Sequence, residues 1–171
     1  MDKYIFLDID GVIATDESLY EAGFWGLVSS KQDLLGGILD ATGAKIVLSS
    51  SWRKSTLEDT IVYMNEQGFR FGDKIVGVTI RAYHYIQRGI HLSIPRGVEI
   101  KQWIDTHVHS DGGKNWDRKV YGVDYTYVIL DDDTDILLEQ KDNFIPVDSS
   151  IGLTYIQALT AIQVLNKVLP D

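Results

Sequence analysis

The chain has 171 residues, 44% of them hydrophobic and 24% charged, the balance of a globular protein long enough to bury a substantial core as one domain. Its net charge of −9 argues against a broad grip on a nucleic-acid backbone, which needs a basic face, but leaves room for a small phosphorylated ligand held by a few local cations. Cysteine is absent, which excludes disulfides and thiolate metal sites. No apolar run approaches the ~18 residues of a transmembrane helix and no leader pattern opens the chain, so the expectation is a cytoplasmic protein without a membrane partner.

Tyr4-Ile5-Phe6-Leu7 is an apolar run that leads into Asp8-Ile9-Asp10-Gly11-Val12. The run reads as a buried strand of a parallel sheet. Two carboxylates at the end of such a strand are costly unless a cation meets them, and a hard divalent ion such as Mg²⁺ takes oxygen ligands. Gly11 allows a sharp turn or close approach of a ligand. Residues 15–30 follow as an irregular stretch in which Gly23 and Gly26 flank Phe24 and Trp25. They read as a loop tucked onto the core or as a flap over the site with glycine hinges.

Lys31 to Thr42 has a helical apolar face in Leu34, Leu35, Ile38 and Leu39, with Gly43 as its C-cap. Lys45-Ile46-Val47-Leu48 is a second buried strand and runs into Ser49-Ser50-Ser51-Trp52-Arg53. Hydroxyls, backbone N–H groups and a guanidinium ahead of a helix make a phosphate seat. Ser55-Thr56-Leu57-Glu58 fits a capping box, which frees the earlier serines. The next helix reaches about Gln67, with Leu57, Ile61 and Met64 inward and Gly68 closing it, and Lys74 to Thr79 reads as a strand.

Between Arg81 and Ile94, cations alternate with aromatic and aliphatic residues. Stacked bases beside cations are one reading, and an amphipathic loop or helix lining the site entrance is the preferred one. A helix begins near Pro95-Arg96, with Val98, Ile100, Trp103, Ile104 and Val108 for its buried side. His107 and His109 read as surface residues. Ser110 to Asp124 reads as a loop. Tyr127-Val128-Ile129-Leu130 then repeats the opening grammar, an apolar strand tipped by Asp131-Asp132-Asp133-Thr134-Asp135. A short helix over Ile136–Lys141, an edge strand over Phe144–Val147 and a last helix over about Thr154–Leu169 complete the chain, the last with Ile156, Leu159, Ile162 and Leu165 inward. In open α/β sheets ligands bind outside the carboxyl ends of the strands, so two acid-tipped strands side by side make a cation site.

Asp8-Ile9-Asp10-Gly11-Val12 resembles the first motif of the haloacid dehalogenase (HAD) superfamily of phosphatases and phosphotransferases, and Leu130-Asp131-Asp132-Asp133-Thr134-Asp135 resembles its fourth. Leu48-Ser49-Ser50-Ser51-Trp52-Arg53 is similar to the second motif of the small HAD domains found in RNA-repair and phage proteins. The third motif, a Lys or Arg at a helix start, has two candidates in Arg96 and Lys101, with Arg96 favoured for its place at the terminus. The resemblance spans the chain and implies a Rossmann-like α/β three-layer sandwich with a mostly parallel central sheet. The spacing between motifs leaves no comfortable room for a separate cap, so residues 1–171 are expected to form a single domain.

The resemblance also implies roles. Asp8 is the nucleophile of an aspartyl-phosphate, and Asp10 is general acid and then base. Asp8, the Asp10 carbonyl and Asp131 hold Mg²⁺, with Asp132 or Asp135 bound directly or one layer behind. Ser50, or next Ser49, contacts the phosphate together with Arg53 and Arg96 or Lys101. The substrate expected is a nucleotide or similar small phosphomonoester. The alternatives are a phosphorylated nucleic-acid end, or an idle HAD fold that only binds.

Overall fold

The computed structural model describes residues 1–16, 26–81, 83–86, 90–108 and 125–167. Strand β1 spans Asp2–Leu7, followed by α1 (Ser29–Thr42), β2 (Lys45–Leu48), α2 (Leu57–Glu66) and β3 (Ile75–Val78). A hairpin of β4 (Tyr83–Ile86) and β5 (Ile90–Ser93) precedes α3 (Arg96–His107), and β6 (Tyr125–Asp131), β7 (Phe144–Pro146) and α4 (Tyr155–Leu165) complete the described elements. The central sheet has the order β3-β2-β1-β6-β7, and every neighbouring pair in it is parallel.

Alternation along β1 shows why this is a three-layer fold. Ile5 and Leu7 face a core built with Leu35, Ile38 and Leu39 of α1, Met64 of α2, and Ala158, Ala161 and Leu165 of α4. Tyr4 and Phe6 face the opposite core, with Ile100, Trp103 and Ile104 of α3. Buried on both faces, β1 must be apolar throughout its interior, and it is. Trp103 is the anchor of the second core, edge-on to both Tyr4 and Phe6 at 5.3 and 5.6 Å. Gly77 in β3 makes room for it, since a Cβ there would stand 2.7 Å from Trp103 Nε1.

Several local expectations need correction. Tyr83–Ile86 and Ile90–Ser93 pair as antiparallel strands β4 and β5, with Tyr83 opposite Ser93, and not as a helix or loop; aromatic and branched residues favour strand pairing there. The cap of α2 is Thr56, whose Oγ1 accepts the Asp59 N–H at 3.0 Å, one residue later than the expected box. Leu138–Gln140 is a single 3₁₀ turn. Val98 is exposed. On α4 the buried residues are Ala158, Ala161 and Leu165, while Ile156 is 75% and Leu159 41% exposed; the small alanines let this helix lie close to β6 and α1, with Ile156 and Leu159 turned outward. Gly43 does cap α1 in the left-handed region at φ 67°. Phe24, Trp25, His109 and the Ser110–Asp124 stretch lie outside the described residues.

Candidate active site

The sheet order reverses between β1 and β6, the position where open α/β sheets gather ligands. Leu7 pairs with Leu130, and Asp8 donates its N–H to the Leu130 carbonyl at 3.0 Å. The two strands therefore deliver Asp8 and Asp131 side by side. Asp132 completes the group, with one oxygen of each carboxylate within 4.8 Å of the others. Asp8 is 6% and Asp131 1% exposed.

Burial dominates the electrostatics. It pushes Asp8 up to about 6 against the pull of Arg96, the Ser50 hydroxyl and the Ile9 N–H, and Asp132 adds to the rise. Burial and then the Asp8 charge push Asp131 up to about 7. Arg96 Nε lies 3.6 Å from Asp131 Oδ2, and that oxygen is buried without a hydrogen bond. Three converging carboxylates, one of them with a buried oxygen that accepts no hydrogen bond, fit a hard divalent cation such as Mg²⁺, which would be held by Asp8, Asp131 and Asp132.

Gly11 is part of this arrangement. Its φ is +76°, and a Cβ added to it would come within 2.4 Å of Asp132 Oδ2. Gly11→Ala is therefore expected to displace the Asp132 carboxylate and to lower stability by roughly 1–2 kcal/mol for the left-handed backbone alone. Urea denaturation of the variant checks it; unchanged stability would show that the turn relaxes freely.

Asp10 stands apart from the cluster. The tight turn after β1 brings the Val12, Ile13 and Ala14 N–H groups onto the Ile9 carbonyl, and Asp10 then points across to the residues that follow β2. Its Oδ2 accepts from Ser51 Oγ at 3.1 Å and its Oδ1 from Trp52 Nε1 at 2.8 Å. A carboxylate held by donors on both oxygens has one orientation to offer a leaving group.

The serine turn after β2 is held by three arginines from different parts of the chain. Arg96 Nη1 donates to the Ser49 carbonyl, Arg53 Nη1 to the Ser50 carbonyl at 2.7 Å, and Arg81 Nη2 to the Ser51 carbonyl. Ser50 is fully buried, and its Oγ accepts the Trp52 N–H at 3.3 Å while its hydroxyl lowers Asp8. Ser49 Oγ instead meets Thr79 Oγ1 at 3.5 Å. Of the two candidates, Ser50 is the one beside Asp8.

A family model described as the HAD domain in Swiss Army Knife RNA repair proteins matches residues 4–158. The chain belongs to this HAD family. No curated protein and no solved structure matches it.

Within the HAD domain, Arg96 occupies the first turn of α3, and its placement is over-determined. Its N–H donates to Asp135 Oδ2 at 2.8 Å, and the Gly97 N–H donates to the Asp135 carbonyl. Gly97 packs so closely that a Cβ would stand 2.4 Å from the Leu137 nitrogen. Asp135 is thus the acidic cap of α3, and Asp132 takes the place in the acid cluster for which both were candidates.

Two of the expected phosphate-binding cations are engaged by protein carboxylates in this structure. Lys101 Nζ is bound to Asp105 at 2.9 Å and lies 4.0 Å from Glu139. It is near Tyr125, at the amino end of β6, because one further turn and a half of helix carries it away from the carboxyl ends. Arg53 is 6% exposed and spends its guanidinium on Glu99 Oε2 at 2.7 Å and on the Ser50 and Ile80 carbonyls. It shapes the serine turn and also lines the neighbouring groove.

Sequence reading missed Glu99 and the particular contacts of Arg81, Ser51 and Trp52. Glu99 was readable as an acid on the buried face of α3, in register with Trp103. Such a residue needs a cationic partner, and Arg53 is that partner. Trp52 gave no signal, since its indole N–H matters only once β1 and β2 lie side by side.

Proposed function

We propose that this HAD domain is a Mg²⁺-dependent phosphomonoesterase acting through an aspartyl-phosphate. The observation that carries the reading is the convergence of Asp8, Asp131 and Asp132 at the end of adjacent strands, next to a separately oriented Asp10. Bound Mg²⁺ would supply charge neutralisation, so that a carboxylate can approach an anionic phosphate. Asp8 attacks phosphorus, the bond to the leaving oxygen breaks, and Asp10 gives that oxygen its proton. Water then attacks the aspartyl-phosphate, Asp10 takes its proton, and inorganic phosphate leaves. Ser50 and Arg96 hold the equatorial oxygens through these steps.

Free nucleotides and phosphorylated nucleic-acid ends are both phosphomonoesters. The family's association with RNA repair supports the second, and a net charge of −9 restricts how the strand is gripped: by local cations and not by a broad basic face.

The test is turnover of an aryl phosphate with and without Mg²⁺, beside nucleoside monophosphates and phosphate-terminated oligonucleotides. Release of phosphate that stops with EDTA supports the reading. Absence of release from every substrate, with binding retained, makes the domain a binding module.

Asp131→Ala is expected to raise the Mg²⁺ concentration for half-maximal activity by on the order of tenfold or more, by removing a ligand and not an acid–base group. A Mg²⁺ titration of activity measures it. An unchanged midpoint would take Asp131 out of the metal shell.

A further inference from the structure

We propose that the groove beside Asp10 is a leaving-group subsite in which Lys54 and Arg81 bind a second phosphate carried by the substrate's alcohol. The proposal rests on the phosphomonoesterase reading and deepens it. The groove has a volume of about 950 Å³ and is lined in part by Ser51, Arg53, Lys54, Ser55, Ile80 and Arg81.

Position is the first argument. Ser51 both lines the groove and donates to Asp10 at 3.1 Å. A group that protonates the leaving oxygen must face it, so the alcohol departs on the Asp10 side, where the groove begins. The transferred phosphate has its own seat at Asp8, Ser50 and Arg96, which leaves the groove to the rest of the substrate. Its volume is near the top of the range for ligand pockets, roughly 300–1,000 Å³, much more than a small alcohol fills.

Charge is the second. The protein as a whole is strongly acidic, yet the groove collects Lys54 from the segment after β2 and Arg81 from the segment after β3, both exposed, against the single carboxylate of Asp59. Lys54 Nζ is held 3.4 Å over the Tyr63 ring, a cation–π contact that fixes an ammonium at the rim without neutralising it. Arg81 is fixed by the Ser51 and Arg53 carbonyls. Cations held by a ring face and by carbonyls, and not by carboxylates, keep their full charge for an anion. The hydroxyls of Ser51 and Ser55 and the half-exposed Ile80 supply a polar and an apolar wall for what links the two phosphates.

A second phosphate can come from a nucleoside 3′,5′-bisphosphate or from the phosphodiester next to a strand end. The experiment compares kcat/KM in Mg²⁺ for an aryl phosphate, a nucleoside monophosphate, the bisphosphate and a phosphate-terminated oligonucleotide. Both substrates with a second phosphate are expected to exceed the nucleoside monophosphate by about tenfold or more at low salt, with the preference shrinking as salt rises. Lys54→Glu is expected to abolish that preference, and Lys54→Met, which keeps the stem, to reduce it. An oligonucleotide that outperforms the bisphosphate assigns the groove to a strand, and equal values assign it to one phosphate. Aryl phosphate turnover with equal kcat/KM for the monophosphate and its bisphosphate, or a preference indifferent to Lys54→Glu, overturns the subsite alone. No turnover of any substrate overturns the phosphatase reading with it.

Discussion

Asp8→Asn is expected to abolish turnover and, in metal-free solution near neutral pH, to make the protein more stable. The activity loss should be on the order of 10⁴-fold or more, the scale for removing a nucleophile that forms a covalent intermediate. The stability gain follows from the acid cluster. Asp8 is pushed up to about 6 and Asp131 up to about 7 in the folded chain, above the ~3.9 of an unfolded aspartate. The folded state therefore binds more protons than the unfolded state between these values, and metal-free stability falls as pH rises from about 4 to about 7. An amide at position 8 removes one of the two mutually repelling charges. The gain should reach about 1–3 kcal/mol at pH 8, one pKa unit being worth about 1.4 kcal/mol, and vanish near pH 4. Urea denaturation of both proteins in EDTA at the two pH values measures it. A variant less stable than the parent at pH 8 would mean that hydrogen bonding of Asp8 to Ile9 and Ser50 outweighs its burial.

Asp10→Asn should produce a loss whose size depends on the leaving group. General acid catalysis is worth typically ~10²–10⁴-fold. An aryl phosphate with an acidic phenol needs little of that help, whereas an alkyl or nucleoside ester needs all of it. Both Asp10 oxygens accept hydrogen bonds, from Ser51 and Trp52, and an amide can accept on one side only, so the substitution disturbs orientation as well as proton transfer. Loss of the base should also slow hydrolysis of the aspartyl-phosphate and let it accumulate from the aryl substrate. Single-turnover rates on both substrates, with intact-mass detection of the adduct, give the answer. Equal losses and no adduct would remove the acid–base role from Asp10. Trp52→Phe, which deletes only the indole donor, should reproduce part of the nucleoside-ester loss.

What the sequence revealed and what it hid divide along physical lines. β1 and β6 were legible because a strand buried on both faces must be a continuous apolar run, and the acids at their tips announce themselves by being costly there. Arg96 was legible as a cation at a helix start. The partners of Lys101 and Arg53 were not legible, because spacing along the chain says nothing about competing groups: Asp105 takes the first and Glu99 the second. Strands β4 and β5 were missed because short apolar runs are ambiguous between helix and strand. On α4, Leu165 and Ile162 face the core as expected, but Ala158 and Ala161 take the places expected of Ile156 and Leu159.

The pairing of β1 with β6 also bears on how the molecule assembles. β1 joins β2 through a local helical crossover, but its partner on the other edge comes from the far half of the chain. Contacts between distant segments form late, after loop closure has been met. Until β6 docks, Asp8 stands at an open strand edge without Asp131, and Arg96 lacks the Asp135 cap that aims it. Species formed before β6 docks therefore lack the assembled acid cluster. Catalytic activity during refolding would accordingly follow the last cooperative step, later than the signals from helix formation or collapse.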